Sequence, residues 1–304
     1  MKKILNHILF LSVFMLSVSS SFGQKHSRDK IIFLNDHYSN FVNAVKKDAG
    51  SQNAAYQETV QTPIFKTHFS ASDYAFVVNS NLATPIRNIS GLQGTLDRIK
   101  THEGSIKENV LSALRDSRKL LKSGDQFIYI LPANPDSRFL MEKMGGVMGL
   151  TAGRNQILLY VEPEIKGWET MLKYAVAHEY NHAYWTQRNI GKANSWTLLD
   201  FMVFEGRGDS FAHLLYPKVK PAWTNALSDD DKTVLWNKLK DKVSLTDPSF
   251  HLEVLFGSRN YPNWGGYTLG YDIVQNYLAN HKSANVEKWA DLDAKEILSL
   301  SSFK

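Results

Sequence analysis

His178-Glu179-Tyr180-Asn181-His182 is the segment that most constrains what this chain can fold into. Residues four apart on an α-helix share a face, so this H-E-x-x-H spacing aims both imidazoles at one cation only if the segment is helical. Glu179, beside the first histidine, then reaches the water rather than the ion. Zinc lowers the pKa of a bound water to about 7, and a neighbouring carboxylate can take its proton as it attacks a carbonyl carbon. The motif therefore predicts hydrolysis at one zinc ion per chain. Roughly 0.02 such matches are expected by chance in a chain of this composition. Met171 to Ala177 and Ala183 to Trp185 contain no Gly or Pro, so the helix is expected to run between Gly167 and Gly191.

A catalytic zinc takes three protein ligands and leaves a position for water. Glu205 is the expected third ligand. It follows His182 in a second helical segment, expected from about Ser195 to Tyr216 and stopped by Pro217. A short connection between the two helices packs them antiparallel, which brings Glu205 back across from the histidines. Asp209, one turn beyond Glu205, is placed to accept the other ring N–H of a ligating histidine, which fixes its tautomer. Gly206 and Gly208 are poor helix formers, so beside a ligand they point to close backbone packing or to a local bend.

At these residues the chain resembles a known family. HEYNHAYW, FEGRGDSFAHLLYP and the later GGYTLGY resemble the DUF2268 family of predicted zinc-dependent proteases, within the gluzincin branch of the zincins. The resemblance covers roughly residues 125 to 280. It implies His178, His182 and Glu205 as metal ligands, Glu179 as general base and Asp209 as the partner of the Glu-x-x-x-Asp pair. It also implies a zincin core, in which an edge strand near the motif helix pairs with extended substrate. No longer metzincin pattern follows the motif.

The expected fold is α+β and mostly helical: residues 24–120 an N-terminal helical region, residues 121–304 the catalytic domain with a small sheet. Asp29 to Lys47 reads as one helix with Ile31, Ile32, Leu34, Phe41, Val42 and Val45 on its apolar side, and Ser105 to Leu121 as another. Between them, residues 50 to 95 read as short helical pieces and loops containing Pro63 and Pro85. Phe127 to Leu131 and Ile157 to Val161 read as strands flanking the glycine-rich segment Met144 to Gly153. Trp264 to Tyr271 opens a further helix on which Tyr267 and Tyr271 share a face. Either phenol is a possible donor to the oxyanion formed on attack, and His213 and His251 are weaker candidates.

Lys2-Lys3, the apolar run Ile4 to Val18 and Ser21-Phe22-Gly23 read as a signal peptide over residues 1–23, so the chain is expected to be exported, to periplasm or medium, with no stable membrane anchor after cleavage. The absence of Cys excludes disulfides, thiol chemistry and a lipidated cysteine. The formal charge of +5 includes Lys2 and Lys3, and the rest is interspersed, with no nucleic-acid motif. The zinc motif and the resemblance together imply a peptide or protein substrate. A zinc hydrolase of a non-peptide amide or ester is an alternative, as is a zincin-fold module that binds peptide or glycan without cleaving it. Glu179 argues against the last, because a pure binder has no use for a base.

Overall fold

The computed structural model describes residues 28–303. The expected signal peptide lies outside the described residues. The chain is mostly helical around one mixed four-stranded sheet of order β1-β2-β4-β3. Strands β1 (Lys30–Phe33), β2 (Phe127–Pro132) and β4 (Gln156–Val161) run parallel, and β3 (Val147–Gly153) closes one edge antiparallel to β4.

Strands β2 and β4 read as unbroken apolar runs because both faces of the sheet are covered. Ile128, Ile130, Ile157 and Leu159 enter a core shared with the helices Glu103–Leu120 and Trp168–Asn189. Their alternates Tyr129, Leu131, Leu158 and Tyr160 pack on the opposite face against the N-terminal helix Asn35–Lys47 and the segments that follow it. Ion pairs tie the N-terminal helices to the ends of the strands. Buried Glu162 accepts from Arg98 Nε (2.6 Å), Arg98 Nη2 (2.7 Å) and Thr95 Oγ1 (2.6 Å), and Arg118 grips Asp29, just before β1, through two bonds of 2.5 Å.

Two local expectations are corrected. Asp29 to Lys47 is not one helix: Lys30–Phe33 is strand β1, and the helix starts at Asn35. The β-branched pair Ile31-Ile32 suits a strand, and parallel pairing with β2 overrides the helical periodicity of the longer window. Pro63 does not lie in a loop. It sits in the short helix Thr62–Ile64, with a wider π turn on either side. A π turn tolerates proline because the ladder is already shifted there.

The H-E-x-x-H helix spans Trp168–Asn189, starting after Gly167, whose φ of 87° turns the chain into it, and passing into a 3-10 turn at Ile190–Ser195 that contains Gly191. Every residue from Tyr174 to Thr186 is buried. A helix buried all round is the centre of its domain, here between the sheet and three other helices. The ligand helix, Leu198–Leu215, begins with a capping box between Thr197 and Asp200 and ends two residues before Pro217. It crosses the tyrosine helix, Gly265–Asn280, at Gly206 and Gly270. A Cβ on Gly206 would lie 2.2 Å from Gly270 O, and one on Gly270 would lie 1.9 Å from Met202 O. Close backbone approach, one of the two explanations open from sequence, therefore accounts for Gly206.

Candidate metal centre

The motif helix and the ligand helix lie antiparallel, so His178 faces Asp209 while His182 faces Glu205. Glu205 Oε2 is 3.4 Å from His178 Nε2 and 3.6 Å from His182 Nε2. One ligand atom from each of His178, His182 and Glu205 lies within 4.8 Å of the others, close enough for all three to hold one metal ion. The imidazoles stand nearly perpendicular, at 84°, with centroids 4.4 Å apart.

Several features of the chain itself fit a metal at this point. Both ring nitrogens of His182 are buried without a hydrogen-bond partner, a costly state for an imidazole that nothing coordinates. Phe204 stacks on the His182 ring at 3.8 Å and 8°, which fixes its plane. Gly208 leaves the space beside the imidazoles open: a Cβ there would lie 2.8 Å from His178 Cε1 and 2.9 Å from both His178 Nε2 and His182 Cε1. Burial acts to raise the Glu205 carboxyl, but the nearby imidazoles of His178 and His182 outweigh this and bring its pKa down to about 2, so it is held as the carboxylate.

Asp209 is fully buried and gathers three donors, two from the motif helix and one from the turn Ala222–Asn225. His178 Nδ1 donates to its Oδ1 at 3.1 Å, Tyr174 Oη at 3.0 Å, and Trp223 Nε1 bridges both carboxylate oxygens at 3.0 Å. With Nδ1–H committed to Asp209, Nε2 is the nitrogen that faces Glu205, and it carries the lone pair whenever the ring is neutral. Burial acts to lower the His178 pKa, yet Asp209 and Glu205 raise it well above the usual value. Asp209→Ala is therefore expected to weaken zinc affinity by roughly 10- to 100-fold. It should also lower the thermal midpoint, because Tyr174 and Trp223 lose their acceptor. Unchanged zinc affinity by competition titration would show that His178 needs no partner.

Glu179 is outside the ligand triad, and its carboxylate turns toward β3, where Thr151 Oγ1 donates to Oε2 at 2.7 Å. Strand β3 is built from the glycine-rich segment between the two strands read from sequence. It is the edge strand beside the motif helix. Among the described residues its outer edge is met by Tyr74, whose N–H donates to Ala152 O at 3.0 Å. Tyr267 and Tyr271 both lie on the tyrosine helix but in different surroundings. Burial, with the carboxylates of Glu205, Asp209 and Glu179, holds the Tyr267 phenol well above its usual pKa. For Tyr271, burial with Asp209 and Asp272 raises it to about 12, and its ring stands against His213. His251 donates through Nε2 to Leu245 O at 2.8 Å, and Arg207 donates to Leu292 O in a part of the ligand helix turned away from Glu205.

A model of the family described as Predicted Zn-dependent protease (DUF2268) matches residues 106–299. The chain belongs to this family. It is also similar to the Uncharacterized protein YjaZ of Bacillus subtilis (strain 168), 23% identical over 163 residues, which cover 53% of this chain and 61% of that protein. The chain thus matches about three fifths of the length of that curated relative. No solved structure matches it.

Tyr174, Trp223, Gly149 and Thr151 belong to this site and were not singled out by sequence. Tyr174 lies four residues before His178 on the same helix face, a spacing that carries the signal. Gly149 and Thr151 are two apart and so share a strand face, which is readable only once the glycine-rich segment is known to be a strand. Trp223 comes from the turn Ala222–Asn225 and leaves no local signal.

Proposed function

We propose that the protein is an exported, zinc-dependent metallopeptidase that hydrolyses peptide bonds, with a zincin-like core. The observation that carries this reading is a second carboxylate, Glu179, which stays outside the convergent His178-His182-Glu205 set and is held by Thr151. A zinc ion held by these three residues would polarise the scissile carbonyl and make a water acidic at neutral pH. Glu179 takes the proton of the attacking water and delivers it to the departing amine, as one carboxylate can in successive steps. Asp209 keeps His178 in the tautomer that presents Nε2. Membership of a family described as predicted Zn-dependent proteases supports the reaction class. The edge strand β3 supports a peptide as substrate, because extended chains bind by adding a strand to such an edge. Residues 1–23 direct export in this reading, and no helix among the described residues is long and apolar enough to cross a membrane.

The Tyr267 hydroxyl donates to the oxyanion in this mechanism. Its raised pKa keeps the proton on the phenol, and its three carboxylate neighbours are those of the site itself. Tyr267→Phe keeps the ring, so kcat is expected to fall by about 10²–10³ with zinc content and thermal midpoint retained, while Tyr271→Phe is mild. The reverse ranking transfers the role to Tyr271.

Residues 24–304, purified and loaded with zinc, should cleave members of a peptide library, with new termini identified by mass spectrometry and cleavage stopped by chelation. Hydrolysis of ester and non-peptide amide substrates alone would redirect the reading to a different hydrolase. Peptide binding without any cleavage would make the protein a binding module.

A further inference from the structure

We infer that strand β3 positions the general base, with Thr151 tethering the Glu179 carboxylate and Gly149 making the space in which it lies. The inference rests on the peptidase reading above and deepens it. Glutamate has three rotatable side-chain bonds, so a Glu that must meet a water at one point has to be fixed by its surroundings. Thr151 Oγ1 lies 2.7 Å from Glu179 Oε2 and 3.1 Å from the backbone oxygen of the same residue. Both residues are buried, each 6% exposed, so solvent does not easily replace the bond. Threonine is stiff at χ1, and Thr151 is anchored in the sheet opposite Ile157, so its hydroxyl is a fixed point against which the carboxylate is set. The register of β3 shifts between Thr151 and Gly153, an irregularity of the kind that re-aims side chains beside functional sites.

Gly149 lies two residues earlier on the same face of β3. A Cβ there would come within 2.5 Å of Glu179 Cγ and 2.6 Å of Oε1. The Glu179 side chain therefore lies against bare backbone along Cγ and Oε1, while its other carboxylate oxygen is held by a hydroxyl. Oε2 is engaged by Thr151, and among the described residues no hydrogen bond reaches Oε1. Oε1 is thus the oxygen left free to accept a proton. Thr151 and Gly149 are positioning residues: they touch neither substrate nor ion, and they set where the proton acceptor stands.

The test uses residues 24–304 and two independent readouts. In zinc-loaded protein, Thr151→Val and Gly149→Ala should each lower kcat on a cleaved peptide by about 10- to 100-fold with KM and zinc content retained. Thr151→Ser, which returns the hydroxyl, should recover most of the loss. In metal-free protein, Thr151→Val should lower the denaturation midpoint when Glu179 is present and leave it nearly unmoved in a Glu179→Ala background, the mark of a direct coupling. If Thr151→Val does not fold, Thr151→Ala replaces it in both arms. Wild-type kcat in the Thr151 variants, or midpoint shifts that simply add, would overturn the inference. If the parent cleaves no peptide, the peptidase reading falls by itself, and the metal-free coupling still decides whether the tether exists.

Discussion

Glu205→Ala is expected to leave the protein folded and almost empty of zinc. The three donor atoms come from two helices, and Glu205 is the only one supplied by the ligand helix. Without it the remaining pair, His178 and His182, sits on one helix face with nothing opposite to complete the coordination, and two imidazoles hold zinc far less firmly than a three-ligand set. His178→Ala and His182→Ala should empty the site in the same way. Elemental analysis of purified protein reads the result directly: about one zinc per chain in the parent and little in each variant. Full occupancy in the Glu205 variant would move the third ligand elsewhere. Asp209→Ala is the internal control, since it should lose affinity without losing a ligand.

Glu179→Gln separates metal binding from chemistry. The amide keeps the shape and can still accept from Thr151 through its oxygen, but it cannot take up a proton. Zinc content should stay near the parental value while kcat falls by at least about a hundredfold. A variant that cleaves peptide at the parental rate would remove Glu179 from the mechanism, whatever its place in the structure.

What could be read from sequence follows from how each part of the site is encoded. The motif helix and the ligand helix are legible because their signals are local: imidazoles four apart in a stretch without Gly or Pro, and Pro217 beyond the end of the second helix, whose start at the Thr197–Asp200 capping box falls slightly after the expected Ser195. Strands β2 and β4 are legible as apolar runs. Strand β1 is not, because four residues ahead of a helix carry too short a pattern to separate a period of 2 from one of 3.6. Strand β3 is hidden for a different reason: its glycines mark close approach, Gly149 to Glu179 and Gly153 to Asp73, and glycine in a sequence reads first as a turn. The contact of Trp223 with Asp209 and that of Thr151 with Glu179 are purely tertiary. The sequence holds the residues but no spacing that joins them.

The glycine crossing of the ligand and tyrosine helices acts as a caliper. Glu205 immediately precedes Gly206, and Tyr267 lies three residues before Gly270, so both side chains are measured from a point where two backbones meet. Distances set by side chains drift as those side chains are exchanged. A distance set by backbone against backbone does not. Most of the surface of either helix can therefore diverge without changing the gap between the carboxylate and the phenol. Gly206 and Gly270 themselves can change only if the helices part, which would carry Glu205 and Tyr267 away from each other.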